Sequence, residues 1–253
     1  KIMSSQLIIE VVSGALLIRP AEVVHDFLAN VCGFALNLSN FDDLRAQTAH
    51  LEIHGLVADA GLTIRAQVDE MMRSIGAVWS TAMPGFGRLW PWPDDANEPS
   101  RATVGKTASL SAVADHGAIY TVLRVLYDYD HAAARHRRAL QVEAPEAIKL
   151  YGRIERELDA CWLRSPREAQ ALATRDLADN ARPRWRMTAE QDLADVPPGT
   201  LVTLDHPRAP LVGRQLVFDA EADPSNNRLR LALDAPSGVA PAVVLAKLSS
   251  AFA

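Results

Sequence analysis

Three side chains in the run His50-Leu51-Glu52-Ile53-His54 have the types and spacing of a metal site. On a β-strand, alternate side chains project to one face, so His50, Glu52 and His54 would converge while Leu51 and Ile53 point away. Two imidazoles and a carboxylate suit zinc or iron and leave coordination positions open for substrate. The chain would then be a metal-dependent hydrolase. The same pattern arises wherever a polar strand face lies opposite a buried one, and that plainer reading is preferred. No bound metal is expected.

The other motifs that could do chemistry are incomplete. Gly105-Lys106-Thr107 matches the end of a phosphate-binding loop, but Ser100 stands where its first glycine belongs. Gly85 and Gly87 begin a dinucleotide fingerprint, yet Trp90 occupies the third glycine position. No serine lies in a nucleophile elbow. Cys32 and Cys161 are far apart and read as two small buried hydrophobes. His25 and Asp26 are neighbours on a helix and do not face each other. Asp205-His206, ahead of Pro207, reads as turn chemistry. No cofactor is expected, and the chain is read as non-enzymatic.

Two surface clusters suit contact better than catalysis. Arg135, His136, Arg137 and Arg138 form a basic run that reads as a solvated hairpin tip, with Arg137 and Arg138 available to an acidic partner. Trp79, Trp90 and Trp92 flank a Met83-Pro84-Gly85-Phe86 turn, so this hairpin is the best candidate for a ligand- or peptide-binding surface or a subunit contact.

The elements that must position these groups are legible from pattern. Gln6 to Ile18 is rich in Ile, Val and Leu and reads as one or two strands, broken near Ser13-Gly14. Pro20 opens a helix with Val24, Phe27, Leu28 and Val31 on its apolar stripe, and Gly33 stops it. Phe41 to Arg45 suits a short helical turn, and His50 to Val57 a strand. A second helix starts near Thr63, with Ile64, Val68, Met71, Met72 and Ile75 facing the core and Gly76 at its end. The hairpin Ala77–Ala82 and Gly87–Trp92 follows, then a polar connection from Asp94 to Ser100.

Beyond that connection β-character dominates. Ala118 to Tyr129 is β-prone, with Leu140 to Val142 as its return strand. Ser165-Pro166-Arg167-Glu168 reads as a capping box opening a helix over 166–181, with Ala169, Leu172, Ala173 and Leu177 inward. Pro183 stops it. Trp185 and Met187 then alternate with Arg184, Arg186 and Thr188 as a half-buried strand should. Leu201 to Leu204, Gln215 to Ala220 and Leu229 to Leu233 are three more strands. Turns fall at Pro197-Pro198-Gly199 and at Asp223 to Asn227.

The totals agree with such a chain. Its 253 residues suit one large domain or two small ones. Its 26 basic and 31 acidic residues give a net charge of −5, which argues against a nucleic-acid binder driven by bulk electrostatics. No apolar run is long enough to span a membrane. The chain begins with lysine and reads as a possible fragment of a longer polypeptide.

One resemblance is specific. Leu150–Asp159 (LYGRIERELD), Ala169–Thr188, Pro197–Arg208 (PPGTLVTLDHPR) and Gly213–Leu233 occur in the order seen in tail-hub or tail-tip (baseplate hub) proteins of long-tailed phages and phage-derived particles. That order is a Tyr-Gly strand lead, a helix, a strand, a P-G-x-x-V strand with His-Pro-Arg, and a closing hairpin. Gly61–Trp92 is similar to the family's helix, Ile-Gly-Ala, strand, Gly-Arg-Leu unit.

The resemblance implies an α+β fold: a β-rich, barrel-like tail-tube-type domain with one packed helix, plus a smaller α/β unit. The corresponding division is 1–20 as strands of the β-rich domain, 21–97 as the α/β unit and 98–253 as the hub domain. It implies a virion structural protein, assembled in the host bacterial cytoplasm and located in the tail. It would form a homo-oligomeric ring, commonly a trimer, that joins the tail tube to the tip or baseplate. Its neighbours would be the tube, tape-measure and tip or baseplate proteins, with DNA only as passing cargo.

Overall fold

The computed structural model describes residues 19–53, 63–79, 87–89, 100, 102–106, 108–130, 132–192, 196, 200–210, 213–236 and 242–250. The expected strands over Gln6–Ile18, the turns at 83–86 and 197–199, His54, Trp90, Trp92 and the connection 94–99 lie outside the described residues.

In chain order the elements are α1 (Pro20–Asp26), a π-helix (Phe27–Val31), a 3₁₀ turn (Leu38–Phe41), α2 (Asp42–Gln47) and α3 (Ile64–Ser74). The short strands β1 (Ala77–Trp79), β2 (Gly87–Leu89) and β3 (Ala102–Val104) come next. Then come β4 (Ser109–Asp115), β5 (Val122–Asp130), β6 (Arg135–Glu143), α4 (Pro145–Tyr151), β7 (Glu155–Asp159) and α5 (Pro166–Asn180). The chain closes with β8 (Arg184–Asp192), β9 (Leu201–Leu204), β10 (Gly213–Asp223), β11 (Arg228–Pro236) and β12 (Val244–Ser250).

The α+β class holds, but the sheets are open where a barrel-like domain was expected. β1 and β2 form a two-stranded hairpin; β3-β9-β10-β11-β8-β4 form a six-stranded sheet and β12-β6-β5-β7 a four-stranded one. Among the described residues neither larger sheet pairs its first strand with its last, so no barrel closes. Most pairs are antiparallel; β3 with β9 and β5 with β7 are parallel.

The six-stranded sheet has one dry face and one wet face. Met187, Ala189, Leu229, Leu231 and Leu233 alternate inward and are buried, while Glu190, Arg228 and Arg230 alternate outward. Val104, Val202, Leu204 and Val217 complete this core. A second, larger core lies between the four-stranded sheet and the helices. α5 lays Ala169, Leu172, Ala173 and Leu177 over Leu123, Val125, Leu140 and Val142, and α1, the 3₁₀ turn, α2 and α3 add Val24, Phe41, Leu44, Val68, Met71 and Met72. One core thus draws residues from both sides of the 97/98 division. Each large side chain so buried contributes roughly 1.5–3 kcal/mol relative to exposure.

Local chemistry explains several helix boundaries. Pro20 occupies the first turn of α1, where a missing N–H costs nothing. The Thr63 hydroxyl accepts the Ala66 N–H at 3.2 Å and starts α3. Gly33 and Gly76 take φ of +76° and +65°, the left-handed conformation that ends a helix.

The α1 stripe is only partly as expected. Val24, Phe27 and Leu28 are buried, but Val31 is exposed. The Cys32 N–H bonds back to Phe27 O, five residues earlier, so the π-turn inserts a residue and rotates Val31 out of the stripe.

The capping box at α5 does not form. Ser165 is extended, but its hydroxyl makes no cap bond, and Glu168 accepts the backbone N–H of Glu52 at 2.9 Å instead of reaching back to Ser165. A long-range backbone donor has displaced the local one. Ser165→Ala should therefore cost under about 0.5 kcal/mol in urea denaturation, where a working serine cap is worth about 1 kcal/mol. Glu168→Ala, which removes the acceptor for Glu52, should cost more, about 1 kcal/mol.

Candidate functional site

The metal candidate was read on a strand, and the described part of it is not one. Thr48 to His50 form a turn, and Leu51 to Ile53 pair with no strand. The burial alternation survives, since Leu51 and Ile53 are buried and His50 is exposed. Its cause is tethering. Arg19 donates to Leu51 O at 3.1 Å and lies 3.8 Å from the Glu52 carboxylate, while Glu168 holds the Glu52 N–H. Burial pushes the Glu168 carboxyl up, against the lowering effect of that hydrogen bond. His54 lies outside the described residues. Among the described residues, no three His, Cys, Asp or Glu side chains are grouped to hold a metal ion.

The basic run is a strand and not a tip. β6 begins at Arg135, and the turn is made by 132–134, with Ala134 at φ +49°. Asp130 organises it, accepting the N–H groups of Ala132 and Ala133 at 3.0 and 3.2 Å and pairing with Arg137 at 2.8 Å. The Arg137 guanidinium holds the Asp130 carboxyl below its usual range. Arg138 pairs with Asp128 at 3.5 Å. His136 is buried, 3.0 Å from the Asp159 carboxylate and edge-on to Tyr129. Arg137 and Arg138 are thus matched by adjacent carboxylates.

In the Trp hairpin, Ala77 pairs with Leu89 and Trp79 with Gly87, as the turn signal implied. The Trp79 indole donates to Asp69 of α3 at 2.7 Å. Trp79 therefore fixes the hairpin to the helix beneath it. His25, which does not face its neighbour Asp26, contacts Leu36 O at 3.3 Å and meets Phe41 edge-on. His206 behaves as turn chemistry, its Nδ1 accepting the Arg208 N–H at 3.1 Å. Cys161 is buried and donates to Glu70 at 2.8 Å; burial and that carboxylate push the thiol well up, so it is a poor nucleophile.

Sequence reasoning missed a buried polar cluster where the two cores join. Two of the connections between them pass through it, one from β4 to β5 and one from α5 to β8. The Tyr120 hydroxyl donates to Asp176, and the Tyr120 N–H donates to Asn180 O. The Asp179 side chain, 2% exposed, is paired with Arg184 and lies 3.8 Å from Arg182. Arg156 stacks over the Tyr120 ring at 5.0 Å. Burial raises the Asp176 carboxyl, as expected where a charge is desolvated. These charges alternate with ordinary helix and strand residues in sequence, so pattern alone does not announce them.

What remains for function is surface. Among the described residues, the strand edges β3, β4, β7 and β12 end the two larger sheets. Leu150, Tyr151 and Ile154 are exposed together at the α4–β7 connection, with Leu150 74% exposed. Tyr151-Gly152 was read as leading a strand. It ends α4, with Gly152 at φ +81°, and the strand it leads into, β7, starts three residues later at Glu155.

Neither a family model nor a curated protein sequence matches the chain. Solved structures do match its fold. One is a protein of the virion of a native gene transfer agent particle, 19% identical with a TM-score of 0.58, covering 88% of this chain and 49% of that one. A 43 kDa tail protein of prophage MuSo2 from Shewanella oneidensis is 9% identical, with a TM-score of 0.51 over 87% of this chain and 66% of that one. A tail protein from Neisseria meningitidis MC58 is 13% identical, with a TM-score of 0.50 over 77% and 66%. The chain has the fold of these tail and virion proteins, and it spans about half to two thirds of their lengths.

Proposed function

We propose that the chain is a structural component of a phage-type tail, forming a distal hub or tip ring that joins the tail tube to the tip or baseplate. The observation that carries this reading is the fold likeness over 88% of the chain to a gene transfer agent virion protein. The open sheets support it. Among the described residues the six-stranded sheet ends in two unlike strands, β3 and β4. Joining one edge to the other edge of a neighbour is a heterologous contact, which closes a ring when the rotation permits and hides both edges.

The ring is a homo-oligomer, a trimer in this reading, contacting tube, tape-measure and tip or baseplate proteins. Leu150, Tyr151 and Ile154 are apolar anchors for such contacts. The wet face of the six-stranded sheet carries Glu190, Asp192, Asp219, Glu221 and Asp223 against Arg186, Arg228 and Arg230. Its acidic excess suits a surface past which DNA moves without sticking, since like charges repel. The place of action is the virion tail, reached by assembly in the host cell.

Light scattering and negative-stain microscopy test the ring. The expected result is a closed ring with an integral number of copies, formed by the chain alone or on its tube partner. A chain that stays monomeric at every concentration, with and without that partner, overturns it.

A further inference from the structure

Two side-chain rows run the whole way across the four-stranded sheet, from β7 to β12. On the face beneath α5 the row is Leu158, Val125, Leu140 and Leu248; on the opposite face it is Glu157, Arg124, Gln141 and Lys247. Val125 and Leu140 are buried and Leu158 packs against the same core, yet Leu248, at the far end of that row, is 57% exposed. In the second row Arg124 reaches Glu157 at 3.3 Å, and Lys247 is the one charge of β12. Among the described residues nothing pairs with the outer side of β7 or of β12. Ile154 O accepts the Val122 N–H and the Ala160 N–H donates to Leu126 O, so the even-numbered residues here bond to β5. Glu155, Glu157 and Asp159 therefore turn their backbone N–H and C=O groups outward.

Charge decides which of these edges can meet. Lys247 is the middle residue of β12, and Glu157 is the middle residue of β7. Either edge paired antiparallel with its own copy in full register sets Lys247 against Lys247 or Glu157 against Glu157. Like charges directly opposite each other are destabilising. β12 laid against β7 of another copy instead sets Lys247 beside Glu157 and Leu248 beside Leu158. The strand directions allow it. β12 and β5 are both antiparallel to β6, and β7 is parallel to β5, so β7 and β12 run the same way. Rotation about an axis along the strands preserves that direction and keeps the core faces on one side.

We propose that the outer edge of β12 is a docking site for β7 of a second copy of this chain, paired parallel with Lys247 beside Glu157 and Leu248 beside Leu158. The proposal rests on the ring reading, and it gives the ring a second seam besides that of β3 and β4. A single lysine on an open edge discourages indiscriminate pairing, and here it selects the acidic edge.

Disulfide trapping tests it, with Leu158→Cys and Leu248→Cys in one chain and Cys32→Ser and Cys161→Ser to remove the native thiols. Within a copy the two positions are three strand spacings apart, roughly 14 Å, about twice the reach of a disulfide. A bond between them can therefore form only between copies. The chain, alone and with its tube partner, is oxidised and run on a gel without reductant. The expected result is a ladder of linked copies that ends at the ring's copy number. Each single cysteine variant stays unlinked, as does a control pairing Leu248→Cys with Phe34→Cys, an exposed site after α1. Adding Lys247→Glu to the paired variant lowers the yield severalfold. A ring seen by light scattering that gives no ladder overturns the proposal and leaves the ring reading standing. Linked dimers from either single variant overturn it, because an edge then meets its own copy, and so does a control that links as well as the pair. A yield unchanged by Lys247→Glu refutes the register. A chain that stays monomeric with and without the tube partner overturns both readings. If the Leu158→Cys chain does not fold, Glu157→Cys with Lys247→Cys on the exposed row takes its place, and presence or absence of the ladder decides in the same way.

Discussion

Replacing Arg184 by methionine is expected to lower the free energy of unfolding by about 3 kcal/mol or more. Arg184 is the first residue of β8, and its side chain is buried against Asp179 near the end of α5. The attraction between two such charges roughly offsets the cost of taking them out of water, so the pair itself adds little. Removing one partner is different, because the desolvated Asp179 carboxylate loses its main compensation. Arg182, 3.8 Å away, is too distant to take over the hydrogen bond. Urea denaturation measures the loss. Adding Asp179→Asn to the Arg184→Met chain should recover much of it, since the buried charge is then gone. If the double variant is as unstable as the single one, the loss comes from packing and not from an unpaired charge.

Gly76→Val is expected to cost about 3 kcal/mol or more, by two mechanisms that add. Gly76 ends α3 at φ +65°, where a branched side chain is strained. A Cβ there would also sit 2.6 Å from Leu172 Cδ1 and collide with the Arg175 guanidinium. Arg175 is not free to move cheaply, because it donates to Ile75 O at 2.7 Å and Gly76 O at 3.1 Å and so holds the end of α3 against α5. Gly33 is the control. It has the same kind of backbone, φ +76°, but nothing lies within 4 Å of a Cβ placed there. Gly33→Ala should lose only the conformational part, about 1–2 kcal/mol. Equal losses at the two positions would show that the α3–α5 contact contributes nothing.

How far the sequence carried depends on what each element owes to its neighbours in the chain. Pro20, Thr63, Gly33 and Gly76 act locally, and each stands where its pattern placed it. The inward stripes of α3 and α5 were legible for the same reason, although Ile64 lies exposed at the first residue of α3. Ser165 misled because the fate of Glu168 was decided by Glu52, 116 residues away. Val31 misled because a π-turn shifts the helical period.

The residues of β7 carry no strand signal of their own, because Glu155, Arg156, Glu157 and Asp159 show no apolar alternation; only the resemblance pointed to a strand there, and its pairing with β5 makes it one. β12 was missed for a related reason, since five successive side chains from Val244 to Leu248 are exposed and no burial rhythm marks the strand. In the candidate site, His50-Leu51-Glu52-Ile53 showed true burial alternation without a strand, because alternation also follows from an extended tether. The basic run Arg135–Arg138 looked solvated because its carboxylate partners, Asp128, Asp130 and Asp159, come from elsewhere in the chain.

The central claim is that this chain is built into a tail. Immunogold electron microscopy of particles released from the producing culture tests it most directly, with antibody raised against the purified chain. The account predicts gold at one end of the tail tube, the end away from the head. Particles with intact tails that carry no label, or label spread evenly along the tube, would contradict it.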